Sequence, residues 1–182
     1  VLVVVAVAAV AVIATLGGGG GGTGGVADSV TVSGSPRSSE LQVGDRIPDF
    51  VAPALGGGEV RWADTAGTPR VLMVWAPWCP HCQVELPRMA QTAAAYPGVE
   101  LVSVTTAVDE RPGPTPQAFM DEHGLTFPVA LDDANGTIAS ALGLTAFPLT
   151  YYVDGDGTIS KVTVGESSTE EIQAALQAIS AG

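Results

Sequence analysis

Cysteine is almost missing from this chain: among 182 residues there are two, at positions 79 and 82. A small domain stapled by several disulfides is thereby excluded. Basic residues are nearly as scarce, seven Lys and Arg against nineteen Asp and Glu, for a net charge of −12. Without a basic face there is no electrostatic footprint for nucleic acid, and that class is set aside. Histidine occurs twice. A four-ligand structural zinc site would therefore need Cys79, Cys82, His81 and His123 together, and His81 shares one turn with both thiols and cannot easily join them on one metal. Charged residues make up only 14% and apolar ones 46%, too apolar a mixture for a disordered chain.

The first 36 residues contain no Lys or Arg, and Asp28 is their single charge. Residues 1–16 are apolar apart from Thr15, and 17–34 hold nine of the 23 glycines, six of them consecutive. Sixteen helical residues span about 24 Å, short of a hydrocarbon core of about 30 Å. The chain begins with Val and lacks the basic flank of a signal sequence, so residues upstream are expected. Residues 1–16 are read as the end of a signal anchor or a signal-peptide apolar core, in preference to a buried strand or core helix, which a glycine tract would ill suit. Gly25-Val26-Ala27 resembles a cleavage site but lies far from the apolar run. Residues 17–40 are read as a Gly-rich linker, with a domain of about 140 residues at 41–182 held outside the cytoplasm. The glycine run satisfies G-x-G-x-x-G literally, as homopolymeric glycine satisfies almost any glycine pattern, and no amphipathic helix follows it.

Within the domain, periodicity and punctuation predict short strands at 49–54 and 59–62 around Gly56-Gly57-Gly58. A strand buried on both faces is predicted at Arg70–Trp75. A helix follows over 80–96, interrupted at Pro87. Further strands are expected at 100–106, 128–131, 149–153 and 158–164, with helices at 116–123 and 138–142. Ser168 and Glu171 make a capping box for a last helix whose apolar stripe is Ile172, Ala175, Leu176 and Ile179. Asp154 and Asp156 are read as turn residues, because Ile159 stands where a calcium loop needs Gly. Asp132, Asp133 and Asn135 are read as capping and turning residues. The expected architecture is α/β, a central mixed sheet flanked by helices.

The chemistry concentrates in Trp75-Ala76-Pro77-Trp78-Cys79-Pro80-His81-Cys82. A strand ends, the chain turns, and Pro80 takes the first helical position, where its missing N–H costs nothing. Cys79 then lies over the open N–H groups of a helix N-terminus, whose partial positive charge favours a thiolate. Cysteines at i and i+3 across such a turn can close a disulfide with little backbone movement. An imidazolium at His81 would favour the thiolate further and make the disulfide more oxidising. A haem attachment site would need His at 83, where Gln83 stands. Glu85 is one turn beyond Cys82 on the same face, placed to exchange a proton with that thiol, and burial would raise its pKa.

At these residues the chain resembles the thioredoxin superfamily, and within it the extracytoplasmic TlpA/ResA-like branch, from about Val43 to Ala178. Val43-Gly44-Asp45-Arg46-Ile47-Pro48-Asp49-Phe50 looks like that branch's opening segment, shared with peroxiredoxins. The Trp75–Cys82 stretch followed by Glu85, Leu86 and Pro87 resembles its active-site signature. Ala146-Phe147-Pro148-Leu149-Thr150 looks like the segment carrying the superfamily's cis-proline, and Val153-Asp154-Gly155-Asp156-Gly157 like the turn after it. The resemblance implies that Cys79, exposed at the helix tip, reacts first and that the more buried Cys82 resolves the mixed disulfide. It implies that Pro148, in cis, presents backbone where an extended substrate pairs, with Trp78 and Phe147 beside it. Thioredoxin proper carries a buried Asp where Met73 stands, which shifts proton handling to Glu85. The Pro80-His81 dipeptide resembles that of the strongly oxidising DsbA.

The expectation is thus a protein thiol–disulfide oxidoreductase, monomeric, without metal or organic cofactor. Its partners would be thiol- or disulfide-bearing proteins and a membrane electron donor or acceptor for recycling. The membrane itself is engaged through the N-terminal segment. Cytochrome c maturation and general disulfide formation or repair both fit. Two alternatives stand beside it. A peroxiredoxin-like thiol peroxidase shares the opening segment, but Pro77 and Trp78 stand where an activating Thr is wanted. A redox-inert copper-delivery module would need His123 brought to the dithiol.

Overall fold

A computed structural model describes residues 29–63 and 67–181. The apolar run 1–16 and the glycine tract, with the anchor and tether read into them, lie outside the described residues.

The fold is organised by Arg70–Trp75 (β4), buried at every residue. Side chains alternate across a strand. Leu72 and Val74 point into one apolar cluster, and Val71, Met73 and Trp75 into another on the opposite face. β4 is flanked by Glu100–Thr105 (β5), parallel, and Leu149–Val153 (β7), antiparallel. Val129–Leu131 (β6) continues the parallel side, and Ile159–Val164 (β8) the antiparallel side, giving the order β6-β5-β4-β7-β8. This is the expected mixed sheet, flanked by helices.

Pro80–Ala93 (α1) and Thr169–Ser180 (α4) cover the Met73 face, and Leu86, Met89, Ile172, Leu176 and Ile179 join its cluster. Each such side chain contributes about 1.5–3 kcal/mol by leaving water. The capping box of α4 forms as expected, with Ser168 Oγ accepting from the Glu171 N–H at 3.2 Å and Glu171 Oε2 from the Ser168 N–H at 2.8 Å. Thr137–Ala141 (α3) lies on the Leu72 face, its first N–H groups held by the Asp132 and Asp133 carboxylates. Pro116–Glu122 (α2) begins at the Thr115 cap and packs Phe119 against Trp75, centroids 5.2 Å apart.

A second, antiparallel sheet joins Thr31–Val32 (β1), Phe50–Pro53 (β2) and Glu59–Trp62 (β3). It attaches at the β6 edge, where Ala54 bridges Ala130 and the Leu55 N–H donates to the Val129 carbonyl. Trp62 is stacked on Phe50 and lies under the Arg70 guanidinium.

Two differences from the sequence reading stand out. Thr31–Val32 falls in the stretch read as linker, yet it pairs with β2, and the Arg37 N–H donates to Ser140. The domain thus draws in chain before residue 41. Helix α1 also runs through Pro87 without interruption. Burial of Leu86 and Met89 on either side offsets the hydrogen bond that proline cannot make.

The strap ahead of β2 crosses the α3–β7 turn closely. A Cβ on Gly143 would lie 1.9 Å from the Ser39 carbonyl oxygen, at a φ of +72°. Gly143→Ala is therefore expected to destabilise the domain by about 2–3 kcal/mol, read as a lowered denaturant midpoint at unchanged m.

Candidate active site

The site is built where β4 hands over to α1. The Cys79 N–H donates to the Ala76 carbonyl at 3.1 Å, and Gln83 Nε2 braces the Pro77 carbonyl at 2.8 Å. Cys79 is the N-cap, in extended conformation, and Pro80 occupies the first turn. The Cys79 sulfur accepts the Cys82 backbone N–H at 3.4 Å. The cap position that usually takes a Ser or Asp oxygen is here filled by a thiol sulfur.

Both thiols are free and both are buried, Cys79 at 4% exposure and Cys82 at 0%. The expectation of an exposed Cys79 is corrected. Its sulfur turns back over the helix to take the N–H, within an apolar cluster against which Trp78 and Phe147 pack. Burial pushes the Cys82 thiol far above the ordinary thiol range, and its hydrogen bond to Cys79 acts in the same direction. Cys82 therefore keeps its proton at neutral pH until a base removes it.

Glu85 stands one turn further on, fully buried. Burial raises its pKa above the ordinary 4.5, against the lowering effects of the Ser167 N–H and Arg88. Oε2 accepts the Ser167 N–H at 3.1 Å and lies 3.5 Å from Arg88 Nη1, while Oε1 is buried without a hydrogen-bond partner. One oxygen is thus anchored and the other is uncommitted. Met73 is fully buried in the same cluster.

The Phe147–Pro148 peptide bond is cis. Leu149 pairs with Val74, so Phe147 and Pro148 stand beside Trp75 and the turn into Cys79. Phe147 meets Trp78 edge to face with centroids 5.5 Å apart. Trp78 is fixed on its other sides by a loop that sequence reasoning did not single out. Its Nε1–H donates to the Ala107 carbonyl at 2.6 Å, and the Arg111 guanidinium lies over its ring at 4.6 Å. Gly113 passes so close that an added Cβ would fall 2.8 Å from Trp78 Cα. Ala107 presents its carbonyl from the left-handed region, φ +53°, where a non-glycine residue is strained by about 1 kcal/mol.

His81 is exposed on the rim, and its Nδ1 lies 2.6 Å from Glu166 Oε1. The imidazole between the two cysteines thus has a carboxylate partner. His123 caps α2 and packs on Phe119, and among the described residues no group of three His, Cys, Asp or Glu is placed to hold a metal ion. Cys79, Pro80, His81, Cys82 and Glu85 converge on the first turns of α1, with Trp78, Phe147 and Pro148 bordering them.

Comparison with known proteins decides the family. The model of the AhpC/TSA family matches residues 43–162. This chain belongs to the AhpC/TSA family. Among its relatives, the thiol-disulfide oxidoreductase ResA of Geobacillus thermodenitrificans is 32% identical over 141 residues, covering 76% of this chain and 79% of that protein. The soluble secreted antigen MPT53 of Mycobacterium tuberculosis is 30% identical over 152 residues, 82% of this chain and 86% of that one. The crystal structure of a secreted M. tuberculosis disulfide oxidoreductase homologous to E. coli DsbE superposes with a TM-score of 0.60. Its identity is 31%, over 70% of this chain and 94% of that chain. Within the AhpC/TSA family, then, this is a thioredoxin-fold thiol–disulfide oxidoreductase.

The charge on Glu85 can be tested through stability. A carboxyl whose folded pKa is raised contributes fully below its ordinary value of 4.5, and that contribution is lost as pH climbs through the raised value. Glu85→Gln carries no charge at any pH. The Tm of the variant minus that of the wild type should therefore grow more positive between pH 4 and pH 8; a flat or falling difference would contradict the assignment.

Proposed function

We propose that the protein exchanges disulfides with protein substrates outside the cytoplasm, through the dithiol of Cys79 and Cys82. The observation that carries this reading is the asymmetry of the pair. One sulfur caps a helix and accepts its N–H, and the other is sealed in the core with its proton retained.

In the reducing direction the Cys79 thiolate attacks one sulfur of a substrate disulfide, which forms a mixed disulfide and releases the other sulfur as a thiolate. Glu85 takes the Cys82 proton. The Cys82 sulfur then attacks Cys79 Sγ, breaking the mixed bond and freeing the second substrate thiol. The substrate gains two electrons and two protons, one returned from Glu85 and one taken up from water by the first released thiolate, and the enzyme keeps a Cys79–Cys82 disulfide. The reverse sequence installs a disulfide in the substrate. A couple near about −270 mV serves a reductant and one near about −120 mV an oxidant.

Trp78, Phe147 and Pro148 form the surface on which an extended substrate segment lies. Pro80 sets the helix start, and His81 tunes charge at the dithiol. A partner at the membrane returns the dithiol to its working state. The apolar run 1–16 and the secreted relatives support a location outside the cytoplasm.

Cys79→Ser should abolish insulin reduction and peptide oxidation. Cys82→Ser should accumulate substrate adducts that dithiothreitol releases, seen on non-reducing gels. Unchanged turnover in the first variant would overturn the reading, and a lack of adducts in the second would overturn the division of labour.

A further inference from the structure

The partner of His81 comes from 85 residues away, in the segment between β8 and α4. Glu166 places Oε1 2.6 Å from His81 Nδ1 and Oε2 3.6 Å from Arg88 Nη1. That Arg88 nitrogen donates to the Ser167 carbonyl at 2.6 Å and lies 3.5 Å from Glu85 Oε2. The Ser167 N–H completes the circuit by donating to the same Glu85 oxygen at 3.1 Å. Two consecutive residues thus hold α1 at two levels, Glu166 at the rim beside the dithiol and Ser167 in the interior beside Glu85.

We propose that Glu166 is a positioning residue for the exchange at Cys79 and Cys82, acting through His81. This rests on the function proposed above. A carboxylate accepts only, so the hydrogen between the two groups sits on His81 Nδ1. The ring is thereby oriented with Nε2 as its free nitrogen. The carboxylate also offsets whatever positive charge the ring presents to the dithiol. A Pro-His pair between cysteines would by itself stabilise a thiolate and with it the reduced form; Glu166 moderates that effect. The pair is too exposed, 67% for His81 and 32% for Glu166, to matter much for stability. Its effect lies in the charge it sets at the dithiol.

Glu166→Gln keeps the shape but removes the carboxylate that holds the His81 ring at the rim, leaving the ring able to turn its N–H groups toward the dithiol; the lost charge itself is solvent-exposed and screened from the sulfurs. Equilibrated with glutathione at pH 7, the variant should favour the reduced dithiol three- to tenfold more than the wild type, a rise of about 15–30 mV. In a His81→Ala background the same substitution should change the equilibrium less than twofold. Ring ¹⁵N shifts of His81 in the unaltered protein should show hydrogen on Nδ1. A potential unmoved by Glu166→Gln, an equal shift without His81, or a neutral ring protonated at Nε2 alone would each overturn the proposal while leaving the exchange itself intact. Absence of any exchange between the wild type and glutathione would instead remove the reading on which it rests.

Discussion

A single backbone amide shapes the chemistry: the N–H of Cys82, donated to the sulfur of Cys79. It can be donated because α1 starts at Pro80, leaving the first-turn N–H groups without helical partners. It points at sulfur because Cys79 is the cap. The same helical turn that exposes this donor carries Cys82 inward, to 0% exposure among Trp75, Leu86 and Met89. In the proposed exchange, attack and resolution are thereby divided between two residues of one type by their place on one helix. The fully buried strand β4 fixes where that helix begins.

The interior beneath the dithiol is mostly apolar, and Glu85 is a costly exception to it. A carboxyl at zero exposure favours its neutral form. The structure supports one of its oxygens from the β8–α4 segment and leaves the other without a partner. In the proposed exchange, this uncommitted oxygen, one helical turn from Cys82, is the one that takes the thiol proton. Arg88 and Glu166 continue the charged chain outward to His81, so Glu85, one turn from Cys82, and the residue between the cysteines belong to one electrostatic circuit.

Much of this was legible in the sequence because punctuation there is strong. Glu59–Trp62, Arg70–Trp75 and Leu149–Val153 have the boundaries their glycines, prolines and β-branched runs suggest. The dithiol, its helix and Glu85 follow from local spacing and from the family likeness. What escaped depends on contacts distant in sequence. Glu166 meets His81 only because β8 brings the chain back past α1, and one Glu in an acidic stretch carries no local mark of that. Ala107 and Gly113 matter through Trp78, again from another loop. Thr31–Val32 becomes a strand only by pairing with β2, and Pro87 stays helical only because its neighbours are buried. The burial of Cys79 has the same origin, since local spacing marks a helix tip but not the side chains packed around it.

The central claim is that the two thiols differ in kind. Brief alkylation of the reduced protein with iodoacetamide at pH 7, followed by peptide mapping, tests it directly. The account predicts that Cys79 is labelled at least about tenfold faster than Cys82, whose thiol is buried and holds its proton. Equal labelling, or faster labelling of Cys82, would contradict it.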